Sequence, residues 1–273
     1  MAMPNGFEGK IAIVTGAAQG TGRAYARALA QAGATVIATS RSMKLPAPGE
    51  DFRPDTLAEL GEVARAAGED IHLIACDVGS EEQIVRCVEQ VIANFGRIDI
   101  VVNNAATYPE DQPVPHYDPI GFSVEEWERY SRINIIGPYL MIREVAPHMI
   151  RQKSGNIVNI TSGASLGVEA AAAQYGMLGY VTTKAALNRM SQFYALEFKD
   201  HNIAVNALCP GTVVTNSWRG VPKDMQDEML ASGNGKLPTP EAVGPPLLYL
   251  ARQSADTYTG QVVLSNEFGV SWP

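Results

Sequence analysis

The sequence predicts an α/β fold: a doubly wound parallel sheet of seven strands with helices on both faces, formed as one domain over residues 1–273. Three observations predict it. Seven short runs rich in β-branched residues recur along the chain, they are apolar almost throughout rather than alternating, and stretches of helical periodicity separate them. Strands that are apolar on both sides belong in a parallel sheet covered on both faces, and right-handed crossovers then wind it in two directions. With 273 residues and 46% hydrophobic composition, the chain can bury one large core.

The runs span 10–15, 35–40, 71–76, 99–104, 156–161, 203–208 and 261–265. Two helix starts are marked by capping-box spacing, Ser80 with Gln83 and Ser123 with Glu126. After Ser80, Ile84, Val88 and Val91 form an apolar stripe that places this helix on the sheet. Two connections, 41–55 and 105–122, are rich in proline and charge and read as surface excursions, and 212–240 reads as a substrate lid.

A formal net charge of -8 argues against a nucleic-acid or anionic-membrane partner, because such a chain repels phosphates. Cys76, Cys87 and Cys209 show no short paired spacing, so no metal and no disulfide is expected; they read as reduced core residues. No apolar run is long enough for a signal peptide or a membrane span, which predicts a soluble, cytoplasmic protein.

The stretch "TGAAQGTG" (15–22) lies between the first strand and the first helix, the context that makes a glycine pattern a dinucleotide site. Gly16 permits the tight turn, Gly20 the close approach of a pyrophosphate, and Gly22 the packing of helix on strand. At the end of the second strand an acid normally receives the ribose hydroxyls, yet here Ser40 is followed by Arg41. A hydroxyl and a guanidinium suit a 2′-phosphate, so NADP(H) is favoured and NAD(H) is the alternative; Gln19 supplies no second cation.

In "YGMLGYVTTK" (175–184) there are two tyrosines and one lysine. On a helix, Tyr180 and Lys184, four apart, share a face, whereas Tyr175 and Lys184, nine apart, lie on opposite sides. An ordinary phenol ionises near pH 10, and a neighbouring ammonium lowers that value towards a useful range. Tyr180 is therefore the candidate proton donor and Lys184 its partner.

The T-G-x-x-x-G-x-G spacing resembles that of the short-chain dehydrogenase/reductase family, and matches follow along the chain from Lys10 to about Val263. The resemblance implies a Rossmann-like fold and a ketone/secondary-alcohol oxidoreductase with an Asn134, Ser162, Tyr180, Lys184 active site. Beyond the glycine turn with Gln19 and Thr21, and beside the Ser40 and Arg41 already read from the end of the second strand, it assigns the cofactor Asp77, Val78, Thr161, Tyr180 and Lys184. It also assigns Asn104 and Ala105 in "NNAA", where Ala106 replaces the usual glycine. In "CPGTVVT" (209–215), Pro210, Gly211, Val213 and Thr215 would fix the nicotinamide end.

The family's active-site asparagine, here Asn134, would anchor through its backbone a water linking Lys184 to solvent. Ser162 would hydrogen-bond the substrate oxygen, with Gly163 and Tyr180 beside it. The spacing from Ser162 to Tyr180 exceeds the family's usual one, the surplus lying in 167–178. Tyr175, between Gly176 and the earlier part of that loop and freed also by Gly179, would reach over the substrate.

The last segment, "SNEFGVSWP", departs from the family's Asp-Gly-Gly ending. The family implies a homo-oligomer, dimer or tetramer. Small, apolar and Met-rich stretches with few cations suggest a neutral, fairly hydrophobic small-molecule ketone or alcohol. A cofactor-binding regulator would need only the glycine turn and adenine contacts, and an isomerase or dehydratase on this scaffold more often carries a larger substrate domain.

Overall fold

In the computed structural model, residues 6–41, 43, 56–107, 121–167, 177–215, 227, 230 and 237–273 are described. The apolar runs become β1 (Ile11–Thr15), β2 (Thr35–Ser40), β3 (Ile71–Ala75), β4 (Ile100–Asn103), β5 (Gly155–Ile160), β6 (Ile203–Cys209) and β7 (Val262–Leu264). They form one seven-stranded sheet in the order β3-β2-β1-β4-β5-β6-β7, with every neighbouring pair parallel. The winding direction reverses between β1 and β4, the place where open sheets of this kind leave a crevice for ligands.

The helices are α1 (Gly20–Gln31), α2 (Leu57–Ala67), α3 (Glu81–Phe95), α4 (Val124–Ser131), α5 (Gly137–Gln152), α6 (Leu178–Glu197) and α7 (Gly244–Ala251). Strand side chains alternate between two cores, as the pleat requires. Ala12, Val14 and Val102 pack with Tyr25 and Leu29 of α1 and Leu247 and Leu250 of α7. Ile13, Val101 and Ile157 pack with Ile84, Val88 and Val91 of α3 and Met141, Val145 and Met149 of α5. Burying each of these large side chains contributes about 1.5–3 kcal/mol, so the two cores hold the sheet between its helices.

Ser123 and Glu126 make both bonds of a capping box. The pair Ser80 and Gln83 makes only half of one. Ser80 Oγ accepts the Gln83 N–H at 3.4 Å, but the Gln83 side chain accepts the Asp77 N–H at 3.0 Å instead of returning to Ser80. The glutamine thus holds the chain leaving β3, a demand that outweighs the local cap.

The C-terminal segment folds back over β7. The Trp272 indole is 6% exposed, donates to the Leu264 carbonyl at 2.8 Å and packs 4.9 Å from the Phe268 ring. All three cysteines are buried and free. Among the described residues no helix is long and apolar enough to cross a membrane. The excursions 41–55 and 105–122 and the lid 212–240 fall largely outside the described residues.

The end of the sheet opposite the crevice is pinned by Asp99, 3% exposed. Its carboxylate accepts two bonds from Arg97 at 2.6 and 2.8 Å, one from Lys10 at 3.1 Å and one from the Ile11 N–H at 3.0 Å. Burial pushes its pKa up, but the Arg97, Ile11 and Lys10 donors prevail and hold it below the ordinary carboxylate value. Because the folded value is the lower one, Asp99 stabilises the fold above the ordinary pKa and loses that contribution as pH falls through the folded value. Replacing Asp99 by Ala should destabilise the protein by about 3 kcal/mol in denaturant titrations at pH 7, with the gap to the wild type closing below about pH 4.

Candidate active site

The site is assembled at the carboxyl ends of β1, β4, β5 and β6. Thr15, 1% exposed at the end of β1, accepts the N–H groups of Asn104 and Ala105 on its hydroxyl, both at 3.0 Å, and so stitches the ends of β1 and β4 together. The Asn104 amide donates to the carbonyls of Thr15 and Gly16 at 3.0 and 3.3 Å and accepts the Thr21 hydroxyl at 3.0 Å. The side chains of Thr21 and Asn104 are therefore engaged with each other, bracing the glycine turn.

Gly16 and Gly20 have φ of +65° and +55°, in the left-handed region that favours glycine. A Cβ on Gly22 would lie 2.3 Å from the Gly16 carbonyl oxygen, so helix and turn meet with no room for a side chain. A Cβ on Gly20 would lie 3.4 Å from the Thr215 side chain, which brings the 209–215 segment to the same turn. Within that segment Val213 is buried and Gly211 has φ of +76°.

The first turn of α1 carries neither a side-chain cap from Gln19 nor an acid. By contrast Thr56, Ser80 and Ser123 cap α2, α3 and α4, each of which has acids in its first turn. The open N–H groups and the positive end of the α1 dipole, set on a turn without side chains, fit the pyrophosphate of a dinucleotide. β2 ends at Ser40, paired with Ala75 at the end of β3; exposed Arg41 follows β2, and Asp77 and Val78 follow β3. Asp77 itself accepts the Gly79 N–H at 2.8 Å, and Val78 is buried with its carbonyl against Gly137.

Between α4 and α5 the helix widens into a π turn, Arg132–Ile136, in which the Gly137 N–H reaches the Arg132 carbonyl. Such turns concentrate at functional sites. Asn134 sits in it, 0% exposed. Its amide accepts the Thr107 N–H at 2.9 Å and donates to Thr183 Oγ1 at 3.0 Å, and Thr183 donates to the Tyr180 carbonyl at 2.9 Å. Thr183 was not singled out from sequence, although it stands one position before Lys184; its helical position beside that lysine is the available signal.

Helix α6 begins at Leu178, so Tyr180 and Lys184 share it, and Lys184 Nζ lies 5.7 Å from the centre of the Tyr180 ring. Gly179 serves packing rather than freedom of the loop before it: a Cβ there would lie 2.6 Å from Phe122 and 2.7 Å from Tyr130, so α4 docks where α6 starts. Tyr175 lies outside the described residues. Lys184 is 2% exposed and donates to the Ile160 carbonyl at 2.7 Å. Burial pulls its pKa down to about 8, partly offset by Cys209.

At the end of β5, Thr161 is buried with its hydroxyl unpartnered among the described residues. Ser162 opens a short 3-10 turn, Gly163–Ser165, its Oγ accepting the Ala164 N–H at 3.3 Å. Cys209 Sγ accepts the N–H groups of Gly163 and Gly211, joining this turn to the segment after β6. A reading of Cys209 as a core residue captured its burial but not this bridge, which depends on contacts between distant strand ends.

Between pH 8 and about 10.5 the unfolded chain binds more protons at Lys184 than the folded one, so this group favours unfolding at pH 7 and ceases to do so as pH rises through that window. Lys184→Met should therefore raise the unfolding free energy at pH 7 by about 1–3 kcal/mol, less the lost bond to Ile160, with the advantage fading by about pH 10. Calorimetry of both proteins across pH checks it.

A model of the short chain dehydrogenase family matches residues 10–226. A 3-oxoacyl-[acyl-carrier-protein] reductase of Thermotoga maritima is 31% identical over 94% of this chain and 96% of its own length. A (2S)-[(R)-hydroxy(phenyl)methyl]succinyl-CoA dehydrogenase subunit of Thauera aromatica is 32% identical over 94% of this chain and 95% of its own length. Among solved structures, a 3-oxoacyl-[acyl-carrier protein] reductase from Brucella melitensis superposes with a TM-score of 0.83 at 28% identity, over 96% of this chain and 92% of that one. A protein from Beutenbergia cavernae described as an NAD(P)-dependent gluconate 5-dehydrogenase, with NADP bound, gives 0.79 at 26% identity, over 97% of each chain. With the crevice, the glycine turn and the Tyr180–Lys184 helix already in place, these matches establish that the chain belongs to the short-chain dehydrogenase/reductase family of oxidoreductases.

Proposed function

We propose that the protein interconverts a ketone and a secondary alcohol with NADP(H), acting on a neutral, fairly hydrophobic small molecule. The observation that carries the reading is a buried lysine beside a tyrosine on one helix face, with the Tyr180 backbone carbonyl tied through Thr183 to Asn134. Similar proteins whose names span an acyl-carrier thioester, a coenzyme A thioester and a sugar acid support the reaction class rather than one substrate.

A nicotinamide cofactor, when bound, supplies or accepts the hydride. In the reductive direction Tyr180 donates a proton to the carbonyl oxygen, and the Ser162 hydroxyl hydrogen-bonds the same oxygen and orients it. Lys184 has three ammonium protons, of which Ile160 takes one; the others would serve the ribose of a bound cofactor, while the charge favours the phenolate of Tyr180. With its pKa near 8, Lys184 is charged at neutral pH. Pro138 has no N–H, so the partner that an α-helix would offer the Asn134 carbonyl is missing, which suits that carbonyl to a water on the proton path.

Gly16, Gly20 and the open α1 terminus would hold the pyrophosphate, Asp77 and Val78 the adenine, and Thr161 with 210–215 the nicotinamide end. Ser40 and Arg41 favour the 2′-phosphate of NADP(H), and the NADP-carrying relative supports the same choice. A second copy of the chain would cover Phe193 and Leu196, exposed on α6.

Tyr180→Phe should lower kcat/KM by about 10²–10⁴-fold with NADPH affinity nearly unchanged, in steady-state assays and fluorescence titration over a ketone panel that includes acyl thioesters. A fully active variant overturns the reading. Arg41→Ala should raise the KM for NADPH about tenfold and leave that for NADH unchanged; a wild type that prefers NADH refutes the cofactor choice.

A further inference from the structure

We propose that Asn188 and Ser165 position the Ser162 turn against α6, as a two-bond relay that sets where the serine hydroxyl points. The proposal rests on Ser162 acting on the substrate oxygen. Ser165 Oγ lies 2.5 Å from the Ser162 carbonyl, and the Ser165 N–H donates to the same carbonyl at 3.0 Å. A carbonyl only accepts, so the Ser165 hydroxyl proton is committed to Ser162. Asn188 Nδ2 lies 2.8 Å from Ser165 Oγ. Because that oxygen has already given its proton away, only the amide N–H can face it, and the orientation of Asn188 follows from the chemistry.

The cost of that orientation is visible. Asn188 is 8% exposed, and its Oδ1 has no hydrogen-bond partner among the described residues. A buried amide oxygen left unpaired costs about 1–3 kcal/mol, so packing alone would not retain an asparagine here. Asn188 stands four residues after Lys184, one turn along the same face. Lys184 grips the Ile160 carbonyl before Ser162, and Asn188 grips Ser165 after it. The helix that carries Tyr180 thus holds the serine strand end on both sides, so the hydroxyl of Ser162 and the phenol of Tyr180 keep a common frame. A displacement of about 1 Å in such a frame costs on the order of 10²-fold in rate.

Ser165→Ala, Ser165→Thr, Asn188→Ala and the Ser165→Ala/Asn188→Ala double variant, with Ser162→Ala as reference, test the relay by steady-state kinetics and NADPH fluorescence titration. The expected result for Ser165→Ala is a kcat lowered about tenfold or more with the NADPH Kd within about twofold of wild type, and recovery to within about threefold in Ser165→Thr. The double variant should lose no more than the worse single one, because both break one chain of bonds. The proposal is overturned if Ser165→Ala keeps its kcat within about twofold, if the threonine gives no recovery, if NADPH affinity falls in step with kcat, or if the two single losses multiply. Full activity of Ser162→Ala would instead overturn the assigned function, whereas an inactive Ser162→Ala beside an unaffected Ser165→Ala removes the relay alone.

Discussion

The bond from the Lys184 ammonium to the Ile160 carbonyl is the interaction on which the site depends. A charge 2% exposed is tolerated only with a partner of fixed position, and the end of β5 supplies one. That requirement brings α6 close to β5 and fixes its rotation. Along the same face Asn188 reaches Ser165 and Ser191 accepts from Asn159, whose side-chain Oδ1 accepts from the side-chain amide of Asn103 in β4. Helix α6 therefore seats on the sheet through a row of hydrogen bonds where its neighbours use apolar side chains.

This polar seating explains what the sequence made legible and what it hid. The strands were readable because a parallel sheet buried on both faces needs continuous apolar runs, and each run ends within two residues of its strand. Helix α3 was readable for the same reason, its Ile84, Val88 and Val91 being buried as the stripe implies. Helix α6 has a weaker stripe: its inward face mixes Leu187 and Ala195 with Thr183, Lys184, Asn188 and Ser191, while Phe193 and Leu196 face outward. Hydrophobic periodicity orients a helix of that kind poorly, and only the four-residue spacing of Tyr180 and Lys184 revealed its working side.

The cofactor crevice was legible as a turn but not as a network. Glycine spacing exposes the need for a backbone without side chains, because that need is local. The bracing by Thr15, Asn104 and Thr21 joins positions more than eighty residues apart and leaves no trace in any short window. The half-made cap at Ser80 belongs with these: Gln83 obeys the helix in sequence and the end of β3 in space.

The π turn of Arg132–Ile136 confines a departure from α-helical geometry to the site and leaves the core on either side helical. A π turn accommodates one residue more than an α turn, so flanking helices keep the phase they would have without it. Tyr130 before it and Met141, Val145 and Met149 after it are all buried. The extra residue thus changes the backbone only where Asn134 stands. A lineage could gain or lose that widened turn, and the carbonyl geometry that comes with it, by a single-codon insertion or deletion that leaves the packing of both helices intact.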